Sequence, residues 1–195
     1  MTNNRPKLKI TFNSPAILTF ALACVVVQVL NMLTHGASNR ALFSTYRSSL
    51  LNPLTWVRCV THVLGHADWS HLLNNMMLLL VLGPMLEEKY GTKNVVFVML
   101  ATAVTTAVVN MIFFPNVALL GASGIVFAMV LLSSITSTDG HTIPLTFILV
   151  AVLYIGQQVW QAITVRDNVS YMAHIAGGAV GAGLGFLLNR AGKRG

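Results

Sequence analysis

Residues 94–138 contain no Asp, Glu, Lys or Arg, an uncharged run of 45 residues. A helix crosses the ~30 Å hydrocarbon core of a bilayer in about 20 residues, so this run is too long for one span and suits two. Pro115-Asn116 is the natural break between them, giving spans at 94–114 and 121–137. Four more apolar segments flank the pair, at 15–33, 69–90, 143–163 and 170–189. Charged residues make up only 9% of the chain and hydrophobic residues 55%, at a mean hydropathy of +0.71. Soluble domains carry about 25% charged residues. The expected fold is therefore an all-α integral membrane protein with six transmembrane helices. A tail at 1–14 precedes a single bundle at 15–189, and a basic tail follows at 190–195.

The segment 34–61 is too polar to span, yet it holds Leu42, Phe43, Tyr46, Leu50, Leu51, Leu54 and Trp56. A first loop of this composition is expected to lie in the membrane interface. The apolar stretch at 15–33 exceeds the 7–15 residues of a signal-peptide core and has no convincing cleavage site, which points to a retained first helix. Asp68 is a natural N-cap for the second helix and Gly91 its stop. With the N-terminus in the cytoplasm, Arg5, Lys7, Lys9, Lys89, Lys93, Arg190, Lys193 and Arg194 fall inside, and Arg40, Arg47, Arg58 and Arg166 outside. Eight basic residues against four favour that orientation, with both termini in the cytoplasm.

The net charge of +7 is no sign of a nucleic-acid partner, because the basic residues sit at the ends and in short loops without interleaved aromatics. Cys24 and Cys59 make no metal or redox spacing and are expected as free thiols. The partners implied are the lipid bilayer and other membrane proteins.

In this topology the second, fourth and sixth helices all start on the outer side, where the polar residues gather. His66, His71 and Asn75 lie at or near the start of the second helix, Ser123 at the start of the fourth, and His174 about one turn into the sixth. Polar groups at membrane depth are costly and usually face the bundle interior or a water-filled cavity. Ser123 lies in the run Gly121-Ala122-Ser123-Gly124. It reads either as a small residue easing helix packing or as a nucleophile whose glycines let a substrate backbone approach. His71 and Asn75 are about 40° apart on one helix face. They form either an interhelical polar pair or part of a reaction centre. His174 shares its face with Gly177, Gly181 and Gly185, at about −60°, −20° and +20°. That stripe admits a close neighbour, and if the neighbour is the fourth helix, Ser123 meets His174.

The five acidic residues are Asp68, Glu87, Glu88, Asp139 and Asp167, all at helix ends or in loops. No span carries the paired aspartates of an aspartyl protease. His62-Val63-Leu64-Gly65-His66 has the histidine spacing of a zinc-protease motif, but Val63 stands in place of the catalytic glutamate. A metal or solute transporter using His62, His66 and His71 is the rival from another class. On a continuous helix His71 would lie about 140° round from His66, which speaks against a shared metal. No metal or cofactor is expected.

These motifs resemble those of the rhomboid intramembrane serine proteases in their minimal six-helix form, over residues 58–186. The resemblance rests on Gly121-Ala122-Ser123-Gly124, on Ala173-His174-Ile175-Ala176-Gly177 with Gly181, on His66, His71 and Asn75, and on Gly83, Glu87 and Gly91. It implies a hydrolase that cuts peptide bonds of membrane proteins, with Ser123 as nucleophile and His174 as general base. The oxyanion hole it implies is made by the Ser123 N–H, His71 and Asn75. Arg58 matches the arginine of a first-loop Trp-Arg pair, although Trp56 stands one place early, and His62 matches a structural loop histidine. Phe127 replaces the tyrosine often found four residues after the serine, and ring stacking on His174 is expected of it. The gate is expected at the fifth helix with the loop 164–169. Thr105 and Asn110 are candidates for helping water reach the site. A minimal bacterial form implies the plasma membrane.

Overall fold

The computed structural model describes residues 11–136, 142–164 and 171–191. The basic residues of both tails other than Arg190, the residues Asp139, Arg166, Asp167 and Ser170, and nearly all of the expected gate loop lie outside them. Within the described residues the regular structure is entirely helical. Eight α-helices run in order: α1 (Pro15–Leu33), α2 (Ala37–Ala41), α3 (Pro53–Thr61), α4 (Trp69–Tyr90), α5 (Thr92–Phe113), α6 (Ser123–Ser134), α7 (Leu145–Thr164) and α8 (Tyr171–Ala191). A 3₁₀ turn at His62–Leu64 follows α3, and one isolated antiparallel bridge pairs Thr45 with Leu119.

Local chemistry sets these limits. Pro15 opens α1, where its missing N–H costs nothing. Asp68 caps α4 through a 2.8 Å bond from the His71 N–H to its Oδ1. Gly91, at φ +80, ends α4 and starts α5 with no intervening loop. The first and fourth helices thus have the limits expected from the sequence. By contrast, α6 starts two residues later than expected because Gly121 adopts φ +119, outside the helical region. The first loop, expected to lie in the membrane interface, contains α2 and α3, and the 3₁₀ turn follows it.

The helices α1, α4 and α5 are long and apolar enough to cross a membrane. α6 has 12 residues, about 18 Å of rise, and α7 and α8 contain shorter apolar stretches at Leu145–Gly156 and His174–Leu188. The bundle exposes many large apolar side chains and buries several polar ones beside its apolar core. Leu22, Val26, Val81, Phe97, Leu149 and Val152 are exposed, while Gln28, Asn75, Glu87, Thr102, Thr106 and Asn110 are buried. Such an inversion suits hydrocarbon rather than water as the surrounding medium. The core centres on α6, whose Gly124 to Met129 are all buried against α4, α5 and α8.

Glu87 fastens the far end of the bundle. Its Oε1 accepts from the Ala16 N–H at 3.0 Å and the Thr92 hydroxyl at 2.8 Å, and its Oε2 accepts from the Ile17 N–H at 3.1 Å. These amides belong to the first turn of α1, where no intrahelical acceptor exists. One turn earlier, a Cβ on Gly83 would lie within 2.9 Å of the Ile17 side chain, so glycine lets α1 close onto α4. Glu87→Ala is therefore expected to cost about 3 kcal/mol or more and Glu87→Gln roughly half as much, measured by thermal unfolding in detergent. A Glu87→Ala protein as stable as wild type would contradict this role.

Candidate active site

The seam between α6 and α8 brings the two key side chains together. A Cβ on Gly177 would lie 2.9 Å from the Gly124 carbonyl oxygen and 3.0 Å from its Cα, and a Cβ on Gly181 would overlap the Ala128 backbone. Gly185 continues the stripe against Leu132 and Ile135. The glycine face of α8 does meet the helix that carries Ser123. The side of Gly124 that lacks a Cβ faces Thr106 of α5, 3.1 Å from the Cγ2. At the open end of the seam Ser123 Oγ lies 2.7 Å from His174 Nε2, a hydrogen bond linking a hydroxyl to a base 51 residues away.

One turn deeper, Phe127 fills the space below this pair. It is fully buried, and a Cβ on Gly178 would overlap its ring. The ring of Tyr154 on α7 stacks on Phe127 at 3.4 Å between centroids, inclined by 12°. The stacking partner described for Phe127 is thus Tyr154, where His174 was expected. Tyr154 and Gly178 had no mark in the sequence, because neither belongs to a motif and α7 is apolar throughout.

The turn before α6 is held from below by the first loop. The His62 carbonyl accepts from the Gly121 N–H at 3.0 Å, and His66 Nε2 accepts from the Ala122 N–H at 3.4 Å. That leaves the Ser123 N–H, the first amide of α6, with no intrahelical acceptor at the positive end of the helix dipole. The His71 ring lies directly over Gly121: a Cβ there would be 2.9 Å from His71 Nε2 and 3.8 Å from Ser123 Oγ. Glycine at 121 is required twice, for its φ of +119 and for this ring. The Ala67 N–H donates to His71 Nδ1 at 3.4 Å, so the ring proton sits on Nε2, the nitrogen nearest the serine. Asn75, one turn on, is 7% exposed, and its Nδ2 has no acceptor among the described groups. A buried amide donor left unpaired in this way marks a place where an acceptor is missing.

The loop histidines are fixed differently. His62 Nδ1 donates to the Arg58 carbonyl at 3.1 Å, and its Nε2 lies 3.3 Å from the Thr106 hydroxyl. His66 Nδ1 donates to the Leu64 carbonyl at 3.1 Å, and Asn39 Nδ2 holds the His66 carbonyl at 2.9 Å. The α4 helix does not extend back to His66, since Gly65 and Asp68 are extended. The His66 and His71 rings therefore meet edge to face at 5.0 Å, not on separate helix faces. With both nitrogens of His62 and His66 engaged by protein groups, neither offers a free lone pair to a metal. Among the described residues no three His, Cys, Asp or Glu side chains form a metal-binding group. Cys24 and Cys59 are free and buried.

Arg58 is 7% exposed, donates from Nε to the Ala41 carbonyl at 2.8 Å and sits 4.6 Å over the Tyr46 ring, tying α3 to the start of the loop. Trp56 is largely exposed and donates to the Leu50 carbonyl at 3.0 Å. Asn110 donates to the Val117 carbonyl at 2.9 Å, closing the loop after α5, and is fully buried. It braces that loop, and Thr105 is half-buried.

Fold and geometry together define a helical membrane protein with a serine–histidine contact at the head of a glycine seam. Residues 53–191 match the Rhomboid domain, and the chain belongs to the rhomboid family. It is similar to Rhomboid-like protein 11, chloroplastic, of Arabidopsis thaliana, at 26% identity over 69% of this chain and 53% of the relative. Rhomboid-related protein 2 of Mus musculus is 30% identical over 67% and 47%, and Rhomboid-related protein 1 of Caenorhabditis elegans 27% identical over 67% and 39%. The chain thus spans about half the length of the curated relatives it matches, or less.

Burial pushes the pKa values of His62 and His66 down to about 4. The unfolded chain takes up these protons near pH 6.5, before the folded chain does, so folding stability is full above about pH 7 and is lost as pH falls toward 4. Thermal unfolding in detergent should follow that profile, the two histidines together contributing on the order of a few kcal/mol. His66→Gln keeps an acceptor for the Ala122 N–H but does not titrate, and should flatten part of the fall. A variant with an unchanged pH profile would refute the buried neutral state of His66.

Proposed function

We propose that this chain is an intramembrane serine endopeptidase that cleaves membrane proteins in or near their transmembrane segments. The observation that carries the reading is the 2.7 Å Ser123–His174 bond beside the unpaired Asn75 amide. In the proposed reaction His174 Nε2 takes the Ser123 proton as Oγ attacks a peptide carbonyl. Negative charge collects on the carbonyl oxygen and is received by the Ser123 N–H, His71 Nε2–H and Asn75 Nδ2. Donors preorganised in a water-poor site stabilise such charge by a few kcal/mol each. His174 then protonates the departing amine, and water, deprotonated by His174, releases the acyl group from Ser123.

No carboxylate is needed to orient His174 if packing does so. The α8 backbone is locked on α6 by Gly177 and Gly181, and the Phe127–Gly178 layer fills the space one turn below. A substrate helix must unwind locally to offer a carbonyl, because its backbone groups are otherwise paired internally. The rhomboid resemblance implies substrates with a small residue before the cut and a helix-destabilising stretch near it. The same reading takes α1, α4, α5, α6, α7 and α8 as six spans around a membrane-lying first loop, in the plasma membrane with both termini cytoplasmic. Exposure of Leu50, Leu51, Leu54 and Trp56 supports the placement of that loop. Entry past α7 is part of the same reading.

The contrasting reading is a relative that binds membrane proteins without cutting them. A fluorophosphonate probe separates the two. Wild type is expected to be labelled covalently at Ser123, with labelling lost in Ser123→Ala and reduced at least a hundredfold in His174→Ala. Absence of labelling in wild type would favour the non-cleaving relative.

A further inference from the structure

A second feature lies on the opposite side of α6 from Ser123. Because α1 packs mainly on α4 and touches α5 only lightly, a groove of about 500 Å³ opens between α1 and α5. Its walls are apolar, with Phe20 and Ala23 on α1 and Val96 and Leu100 on α5; the first loop roofs it at Leu64, and Ile125 of α6 forms its floor. Ile125 is two residues and about 200° from Ser123, so the groove opens away from the serine–histidine pair.

Three properties indicate what it holds. Its lining on α5 runs from Thr92 to Ala103, about 16 Å of helix rise. That is half of the ~30 Å hydrocarbon thickness, the depth of one leaflet. One end is closed by the loop at Leu64, and the other lies between Ala16 and Thr92, beside the Glu87 clamp where the chain leaves the apolar zone. At that polar end Lys93 precedes Val96 by three residues and Leu100 by seven, which puts it on the same face of α5. It is exposed and follows directly on Thr92, the lining residue of α5 at that end, so a basic side chain borders the polar end of an apolar slot one leaflet deep.

We infer that the groove is a binding site for one phospholipid, with its acyl region between α1 and α5 and its phosphate at Lys93. The charge favours an anionic headgroup, and a lysine at a membrane surface is worth about a fivefold preference. This site goes beyond the proteolytic reading and stands whether or not Ser123 is a nucleophile. A resident lipid would reinforce the slight α1–α5 contact and support Leu64 and Ile125 on either side of the Gly121 turn.

Native mass spectrometry of the full chain, incubated in mild detergent with phosphatidylglycerol or phosphatidylcholine, tests this directly. Wild type is expected to retain one lipid, with phosphatidylglycerol preferred about fivefold. Lys93→Glu should remove the preference, Ala23→Phe should remove the retained lipid while leaving helical content unchanged, and Ser123→Ala should behave as wild type. A photo-crosslinker at Val96 should yield a lipid adduct in membranes. No retained lipid, equal retention by wild type and Ala23→Phe, or a protein adduct at Val96 would each overturn the assignment. Fluorophosphonate labelling of the same samples reports on Ser123 separately, so the two readings fail independently.

Discussion

Close contact between the α6 and α8 backbones sets the distances in the candidate site. Gly124 and Gly177 meet with no side chain between them, and Gly181 repeats the approach one turn on. In lipid, hydrophobic burial does not drive helices together, so close van der Waals packing must do it, and small residues permit the closest approach. The 2.7 Å Ser123–His174 bond is a consequence of that contact. A side chain at Gly181 would overlap the Ala128 backbone, and one at Gly177 would crowd Gly124, so either would move α8 and with it His174 away from α6.

The first loop solves a different problem. The turn at Gly121 and Ala122 must expose the Ser123 amide at membrane depth, where an unpaired neighbour is expensive. The His62 carbonyl and His66 Nε2 take the two preceding amides, and the Thr45–Leu119 bridge pins the strand-like approach to the turn. Arg58, Asn39 and Thr106 in turn hold the loop. The Ser123 amide has no intrahelical acceptor, and the Asn75 side-chain amide, one turn after His71, is among the buried polar groups without a partner in the described residues.

Much of this was legible in the sequence because it depends on residue type and spacing. Asp68 and Gly91 announced the limits of α4, and the 3-, 7- and 11-residue intervals from His174 announced the glycine face of α8. Other features depend on tertiary contact and left no local trace. Tyr154 looks like any aromatic in an apolar helix until Phe127 is found against it. Thr106, rather than the neighbouring Thr105, faces the core because the rotation of α5 is fixed by α8 and α6, not by its own uniformly apolar pattern. The helical angle computed between His66 and His71 misled because Gly65 and Asp68 interrupt the helix, and the two rings are neighbours. The groove between α1 and α5 was invisible for the same reason: it exists because α1 packs mainly on α4 and only lightly on α5.

The central claim is that Ser123 and His174 act as one catalytic unit. Its most direct test is cleavage of a reporter transmembrane substrate by the purified chain in liposomes, comparing wild type with Ser123→Ala, His174→Ala and the double variant. The account predicts cleavage by wild type alone, with the double variant no worse than either single one, as expected of residues that act together. Cleavage at the wild-type rate by either single variant would contradict it.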